Sequence, residues 1–599
     1  MKQKLMALLM TLVLVLSMAG CSKGKPQPTP SSTPSSTAQG DKYTQQADFD
    51  VFTDEIFKHE VQNDSITLNY TLANPENFGI NDFVPTFGTF SVDEMKQSFK
   101  ESKDTLTKLE AFNYDLLSQS QQVTYDILKE LLSADLSIED YILYNEILSP
   151  TTGFQAQLPV LLAEFNFYTK DDVYNYIKLL ECTKTYFDQI STFQRQKSEA
   201  GFFMSDTTAD DIIDQCKQFI KNPEENYLIS IFNEKIETFD FTKEEKVTLM
   251  EDNKKAILEN VIPAYEQLIQ TLTSLKGTGT NEGGLSNYEN GKEYYQYLLK
   301  QNTGSSKTVD EINALLDKAI ATSILGMQSI AATDANALES ASNLSYKLTD
   351  PKEILDYLED SIKEDFPELE PVNCTIKYVH ESLEEHMSPA FYLTPPIDNF
   401  TENSVYINKN EKFDLSTIFT TIAHEGYPGH LYQTVYYHQQ YPSLIRSLID
   451  FGGYSEGWAT YVEVYSYGLA GLDENVAKIM QYNLVATLCM YAKVDIYVNY
   501  YGWDKAKVKT YLTDFGLGED SIVEDMFNAM VAEPCNYLKY TLGYLEIDAL
   551  KEKAEKALGD QFVLKDFHTF FLNLGPAQFD IIDKYLEQWI SSHKTEESK

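Results

Sequence analysis

Hydrophobic residues recur at steps of three and four through most of the chain between residues 49 and 275. The spacing is clear in Val173-Tyr176-Ile177-Leu180 and again in Ile257-Val261-Tyr265-Leu268. Such steps place side chains on one face of an α-helix. Glycine and proline are scarce in this region, so the pattern predicts a series of amphipathic helices. It ends at a glycine-rich loop at residues 276–284.

Helical periodicity resumes at residues 292–299 and 309–330 and then changes between residues 372 and 410. Alternating segments rich in β-branched and aromatic residues predict three strands there, at 375–379, 390–393 and 404–407. We expect these strands to form a small antiparallel sheet. Helical patterning returns from about residue 415 and continues to near the C-terminus. The chain is therefore predicted to be mainly α.

The N-terminus has the pattern of a secretory signal. Two lysines precede an apolar run at residues 5–16, which is short for a membrane span. Ala19-Gly20-Cys21 resembles a bacterial lipobox, which implies cleavage before Cys21 and lipid on that residue. The alternative is ordinary secretion with an incidental cysteine. We therefore predict a lipoprotein signal peptide at 1–20 and a disordered Ser/Thr/Pro-rich tether at 21–45.

Size and charge narrow the remaining possibilities. The 599 residues exceed what one ordinary core needs, and we divide them into an N-terminal helical region at 46–290 and a catalytic region at 291–599. The formal net charge of −43 disfavours nucleic acid and anionic lipid headgroups as partners. The five cysteines other than Cys21 are scattered without a C-x-x-C pair, so neither a disulfide framework nor a cysteine zinc site is expected.

Two of the eight histidines lie six residues apart in His424-Glu425-Gly426-Tyr427-Pro428-Gly429-His430. A continuous helix turns by roughly 240° over six residues, so rings at this spacing would point apart. Pro428 cannot donate to the carbonyl of His424, and it disfavours helical dihedrals at the residue before it. We predict that the helix ends or bulges after Glu425 and that a turn brings His430 back to face His424. Two imidazoles and a carboxylate are typical components of a zinc hydrolase site.

A catalytic zinc keeps three protein ligands and one open position, so a third ligand is needed. The segment 452–463 is the best source. We expect Ser455 to cap a helix that starts with Glu456. Glu456, Thr460 and Glu463 would then share one helical face. One carboxylate can bind the metal and another can brace a ligand histidine, and the spacing leaves both assignments open.

The segments 424–430 and 456–463 together resemble bacterial proteins of the DUF885 family, which is grouped with the gluzincin-type zinc metallopeptidases. Weaker similarity extends to 292–304, 534–543, Phe567-His568 and Gly575-Pro576. The resemblance implies a large multi-helix metallopeptidase-like fold, with the small sheet next to the active-site helices. It also implies one Zn²⁺ bound by His424, His430 and Glu456, with Glu425 as the general base.

This resemblance implies a membrane-anchored zinc metallopeptidase on the extracytoplasmic face of the cell membrane. Glu425 would take a proton from water and hand it to the leaving amine. Tyr540 occupies the family's tyrosine position and is the first candidate to stabilise the oxyanion. Tyr537 is the second candidate, and His380 and His386 are weaker ones. An extended peptide could pair with the strand at 390–393.

Three alternatives remain open at the level of sequence. Glu463 is either a brace for a ligand histidine or an ordinary glutamate. The chain as a whole could be a non-catalytic surface lipoprotein that binds a peptide or another ligand. A binding protein, however, has no need of a glutamate beside a metal-binding histidine. The substrate could also be another amide instead of a peptide.

Overall fold

A computed structural model of the chain describes residues 42–81, 83–381, 384 and 387–595. The predicted signal peptide, Cys21 and most of the tether lie outside the described residues. The first helix, α1 (Lys42–Val61), begins inside the segment assigned to the tether, so residues 42–45 are helical.

The predicted helical character of the first half of the chain is confirmed. Several of its helices begin at a threonine whose side chain accepts from the third backbone N–H of the helix, while the acid at that position reaches back. Thr169, Thr242 and Thr308 form such capping boxes. A π-helical segment, Ile257–Val261, joins α9 to α10. The helices after α1 are α2 (Ser65–Thr71), α3 (Val92–Glu110), α4 (Gln119–Leu136), α5 (Phe154–Glu164), α6 (Lys170–Glu199), α7 (Asp206–Phe219), α8 (Tyr227–Glu237), α9 (Lys243–Ala256), α10 (Ile262–Leu275), α11 (Gly291–Thr303), α12 (Val309–Thr333), α13 (Ala335–Ser342) and α14 (Pro351–Ser361).

The three predicted strands are present as β1 (Asn373–Tyr378), β2 (Ala390–Leu393) and β3 (Glu402–Ile407). Their arrangement differs from the expected antiparallel sheet. β3 lies between the other two, parallel to β1 and antiparallel to β2, so the sheet is mixed. The prediction was wrong because alternation fixes which side chains face each way but not the direction of the neighbouring strand.

Helices carry the rest of the chain, as predicted. They are α15 (Phe419–Glu425), α16 (His430–Gln439), α17 (Gly452–Ser466), α18 (Glu474–Asn499), α19 (Lys505–Thr513), α20 (Asp520–Ala532), α21 (Leu538–Leu558), α22 (Leu564–Leu574) and α23 (Phe579–Thr595). Among the described helices, none is both long and apolar enough to cross a bilayer.

The sheet lies between two hydrophobic cores. Tyr392 and Val405 pack into a core shared by α1, α4, α14 to α17 and α21 to α23. The alternate residues Phe391 and Tyr406 stack on each other and join a second core formed by α5 to α10. Alternation along the strands therefore directs side chains into both cores. Helices α15 to α17, which contain the histidine and glutamate motifs, lie in the first core.

Candidate metal centre

The break between the two histidines is confirmed. α15 ends at Glu425, and α16 begins at His430. Gly426 and Gly429 between them have non-helical dihedrals, with ψ of −107° and −136°. A methyl group on Gly429 would overlap the carbonyl oxygen of His424, so only glycine permits the turn to fold back over the end of α15.

The fold-back places the two imidazoles side by side. Their ring centroids are 4.9 Å apart, and the ring planes are inclined by 77°. The turn is anchored by Trp458 in α17, whose indole N–H donates to the carbonyl of Pro428 at 2.8 Å. Both rings are buried, His424 at 4% and His430 at 5% exposure. A six-residue spacing thus yields two converging histidines because the helix is interrupted between them.

Glu456, in the second turn of α17, lies beside both histidines. Its Oε2 atom lies 3.5 Å from Nε2 of His424 and 3.5 Å from Nε2 of His430. The expected N-cap at Ser455 was wrong, because α17 already begins at Gly452 and the Ser455 hydroxyl donates within the helix to the carbonyl of Phe451 at 3.3 Å. The Gly452-Gly453 pair is typical of a loop in sequence. In the fold this glycine pair begins α17, at a point where the backbone of α11 passes close by.

Glu463 lies two turns further along the same face of α17. Its Oε2 atom is 3.2 Å from Nδ1 of His424. A carboxylate at Nδ1 holds the proton on that nitrogen, so Nε2 is the nitrogen that a metal ion beside Glu456 would take. The structure therefore places Glu463 at Nδ1 of His424, the position that the expected brace requires.

The three candidate ligand atoms lie close enough together to hold a metal ion. One atom from each of His424, His430 and Glu456 lies within 4.8 Å of the other two. Two ligand atoms about 2.1 Å from a tetrahedral zinc are roughly 3.4 Å apart, close to the separations of Glu456 from each histidine. Nε2 of His430 and both carboxylate oxygens of Glu456 are buried without a hydrogen-bond partner in the described part of the chain. Buried polar atoms in such a state are compatible with a bound ion that satisfies them.

The electrostatic balance also favours a divalent cation. Glu425, Glu456 and Glu463 bring three buried carboxylates together, and the buried Lys539 supplies one ammonium group. With all three carboxylates ionised and His424 protonated, as its surroundings favour, an excess of one negative charge remains. Buried charges without partners cost several kcal/mol each, so a divalent ion would stabilise the folded centre. The donor set of two imidazoles and one carboxylate suits zinc.

The pKa values around the centre reflect the same imbalance. Burial by itself would lower the pKa of His424, but the carboxylates of Glu456 and Glu463 beside it raise that pKa to about 10. Burial would raise the pKa of Glu456, but the two imidazoles and the Lys539 ammonium hold it well below its usual range. Both shifts favour the charged forms of His424 and Glu456, an imidazolium and a carboxylate that attract each other.

Glu425 lies beside the candidate metal-binding group without belonging to it. Its Oε2 atom accepts the backbone N–H of Tyr392 in β2 at 2.9 Å. Burial raises the pKa of Glu425, which brings this carboxyl closer to the range useful for proton transfer near neutral pH. Within the described residues β2 pairs only with β3, so Glu425 lies at the unpaired edge of the sheet.

The candidates for oxyanion stabilisation are separated by the fold. Tyr540 in α21 is buried, and its ring lies over His424 with centroids 6.5 Å apart. Tyr537 instead packs against Tyr491, with ring centroids 4.9 Å apart. His380 is exposed after β1, and His386 lies outside the described residues. Tyr540 is the candidate that the structure brings to the histidine pair.

The sequence profile of the family described as "Bacterial protein of unknown function (DUF885)" matches residues 77–586. The chain belongs to this family. Two solved structures share the fold of this DUF885 chain. One is described as the "putative lipoprotein from Colwellia psychrerythraea"; it has a TM-score of 0.79 and 19% identity and covers 92% of this chain and 99% of its own.

The second is "a putative lipoprotein of unknown function from Shewanella oneidensis", with a TM-score of 0.62 and 15% identity, covering 91% of this chain and 100% of its own. Identities this low show a common fold and nothing more. No match is found among curated proteins.

A close helix crossing, which the sequence did not reveal, assembles the centre of this DUF885 chain. α17 and α21 meet at Gly457 and Gly543, where a methyl group on Gly457 would lie 2.5 Å from the Cα of Gly543. The contact brings Lys539, one turn before Gly543, against Glu456, and it brings the neighbouring Tyr540 over the ring of His424. The four-residue spacing of Gly453 and Gly457 on a helix was the available signal, because two glycines one turn apart permit close approach of another backbone.

Proposed function

We propose that this chain is a zinc-dependent metallopeptidase that hydrolyses peptide bonds. The observation that carries the proposal is the buried group of His424, His430 and Glu456, with the Glu425 carboxylate directly beside it. A ligand-binding protein needs a metal at most for structure, and structural zinc sites are closed by four protein ligands. The described residues supply three, which supports an open position for chemistry.

Zinc held by these residues would polarise the scissile carbonyl and lower the pKa of bound water towards about 7. Glu425 is the general base: it removes a proton from the attacking water and delivers that proton to the departing amine nitrogen. The C–N bond breaks, and the water oxygen becomes part of the new carboxylate. The raised pKa of Glu425 supports the first of these roles, because a more basic carboxylate removes a proton from water more readily.

Tyr540 is proposed to donate its phenolic O–H to the oxyanion that develops on the carbonyl oxygen. Its support is positional, since its ring lies over His424, one of the proposed ligands. A donor fixed by a buried helix stabilises developing charge without having to reorganise during the reaction.

The unpaired edge of β2 supports a peptide as the substrate. An extended chain can add to a strand edge through backbone hydrogen bonds, and Glu425 lies at this edge. A small cavity on the face of the sheet that carries Phe391 and Leu393 is lined by these two residues and by Tyr70, Val160 and Glu164. Side chains of a bound strand would alternate towards and away from that side of the sheet.

The proposed location is the extracytoplasmic face of the cell membrane, through lipid on Cys21. Support comes from the lipobox-like Ala19-Gly20-Cys21 and from two structures of the same fold described as putative lipoproteins. The membrane and a peptide or other amide substrate are the proposed partners.

Metal analysis combined with a peptide-library cleavage screen tests the function. The purified chain should contain one zinc per molecule and cleave peptides, and chelation should stop the cleavage. His430→Ala should lose the metal because it removes one of three ligands, whereas His593→Ala near the C-terminus should keep it. Zinc binding without cleavage of any peptide or amide would favour the non-catalytic lipoprotein instead.

A further inference from the structure

Lys539 is a buried lysine beside the metal-binding group, and no role in the proposed chemistry has been assigned to it. Its side chain is 4% exposed, and Nζ lies 3.7 Å from Oε1 of Glu456. Lysine is almost never buried without a charged partner, so this contact accounts for its position. Nζ also lies 5.2 Å from the ring centroid of Tyr540.

The backbone at the start of α17 leaves space for the Lys539 side chain to reach Glu456. A methyl group on Gly452 would lie 3.0 Å from Cδ and 3.2 Å from Cβ of Lys539. Both distances are shorter than ordinary carbon contacts, so a larger residue at 452 would displace the lysine stem. Gly452 has no side chain, and α17 and α21 cross closely. Together these features leave room for the ammonium group of Lys539 to reach the carboxylate of Glu456, one turn beyond Gly452 in α17.

The two oxygens of Glu456 have different surroundings. Oε2 faces both histidines at 3.5 Å, and Oε1 faces Lys539. A glutamate can bind a metal through one oxygen or through both. We propose that Lys539 is a positioning residue that engages Oε1, so that Glu456 binds the metal through Oε2 alone. This inference rests on the metal centre of the proposed function.

The consequence concerns the number of open positions on the metal. Two histidines and one carboxylate oxygen leave the fourth position of a tetrahedral ion for water or substrate. A second oxygen from Glu456 would raise the coordination number and crowd that position. The ammonium group also offsets the charge of a buried carboxylate, so its removal weakens the whole ligand set.

Cobalt(II) in place of zinc reports the coordination number directly, because its visible absorption weakens when coordination rises from four to five. We expect the wild-type chain to bind one cobalt with the strong bands of a four-coordinate ion. Lys539→Met should show weaker bands and a loss of metal affinity of about 10- to 100-fold. Lys539→Arg, which keeps the charge and the donor, should restore both. Lys539→Gln, shorter and uncharged, should behave like Lys539→Met and serves if that variant does not fold.

A matched control uses a second buried lysine. Lys197 pairs with Glu146 at 3.0 Å in the N-terminal half of the chain, so Lys197→Met should leave the cobalt spectrum unchanged. If the uncharged Lys539 variants fold and keep the wild-type bands and affinity, the role of Lys539 is overturned while the metal centre stands. If the wild-type chain binds neither cobalt nor zinc, the metal centre itself is overturned.

Discussion

At the scale of single residues, the contrast between Glu425 and Glu456 shows how position divides identical side chains between two roles. Glu456 faces both imidazoles, and Glu425 instead accepts a backbone N–H from β2. Glu425→Gln should therefore keep zinc at the wild-type level, because the ligands are untouched. Turnover should fall by roughly 100- to 10,000-fold, the usual contribution of a general base. Metal analysis and peptide cleavage by the same preparation measure both quantities.

Glu76→Gln, at a site remote from the metal-binding residues in sequence and outside the two cores, is the matched control for loss of a carboxylate. It should keep both zinc and turnover. Unchanged turnover in Glu425→Gln would remove this residue from the mechanism.

His568 gives a prediction about pH and stability. Burial lowers its pKa to about 4, and its contacts fit a neutral ring: Nδ1 lies 2.7 Å from the carbonyl oxygen of Asp365 and Nε2 lies 3.0 Å from the hydroxyl of Tyr461. In the unfolded chain the pKa is about 6.5, so between these values the unfolded state binds the proton and the folded state does not. The contribution of His568 to the free energy of unfolding is fully present above pH 6.5 and falls by about 3 kcal/mol as the pH approaches 4.

His568→Asn removes this titration, so the difference in unfolding free energy between variant and wild type should narrow towards pH 4. Denaturant unfolding from pH 7 to pH 4 measures it. His438, whose pKa burial also lowers to about 4, provides a second test through His438→Asn. A pH-independent difference for both variants would contradict the proposed titration.

At the scale of elements, the crossing of α17 and α21 determines whether the centre assembles. Gly457→Ala places a methyl group 2.5 Å from backbone atoms of Gly543, which cannot rotate away as a side chain could. The helices must separate, at a cost of about 1–3 kcal/mol of folding free energy. We also expect weaker zinc binding, because Glu456 precedes Gly457 directly. Denaturant unfolding and competition with a chelator measure the two effects.

Gly468→Ala is the control, because the nearest atom to a methyl group there, the carbonyl oxygen of Tyr465, is 3.3 Å away. It should change stability little and zinc affinity not at all. Equal effects of the two substitutions would show that the loss of a glycine as such, and not the crossing, controls the outcome.

At the scale of the whole molecule, a bound metal would join three helices and so stabilise the fold. The proposed ligands come from α15, α16 and α17, and the unfolded chain does not hold them together. Free zinc at about 1,000 times its Kd should add about 4 kcal/mol to the free energy of unfolding. The midpoint of thermal unfolding should rise with zinc and fall with a chelator, whereas Glu456→Gln should respond weakly. An identical midpoint in zinc and chelator would contradict the metal centre.

Much of the molecule could be predicted from its pattern of residues. Helical periodicity, the three strands and the break after Glu425 follow from local rules, because apolar spacing, β-branched runs and a proline act within a few residues. The start of α17 was misplaced for the same reason. Gly452-Gly453 is locally a loop signal, and only contact with α11 makes two glycines necessary at the beginning of a helix.

The sequence by itself determined the helical class, the strands and the residues able to bind a metal. Only the tertiary structure decided the mixed order of the sheet, the convergence of Glu456 with both histidines, the placement of Glu463 behind His424 and the presence of Lys539 at the free oxygen of Glu456. The physical reason is range. Local periodicity and backbone preference act along the chain, whereas these contacts join residues 11 to 83 positions apart. They form where glycines allow helices to approach and where buried charges require partners.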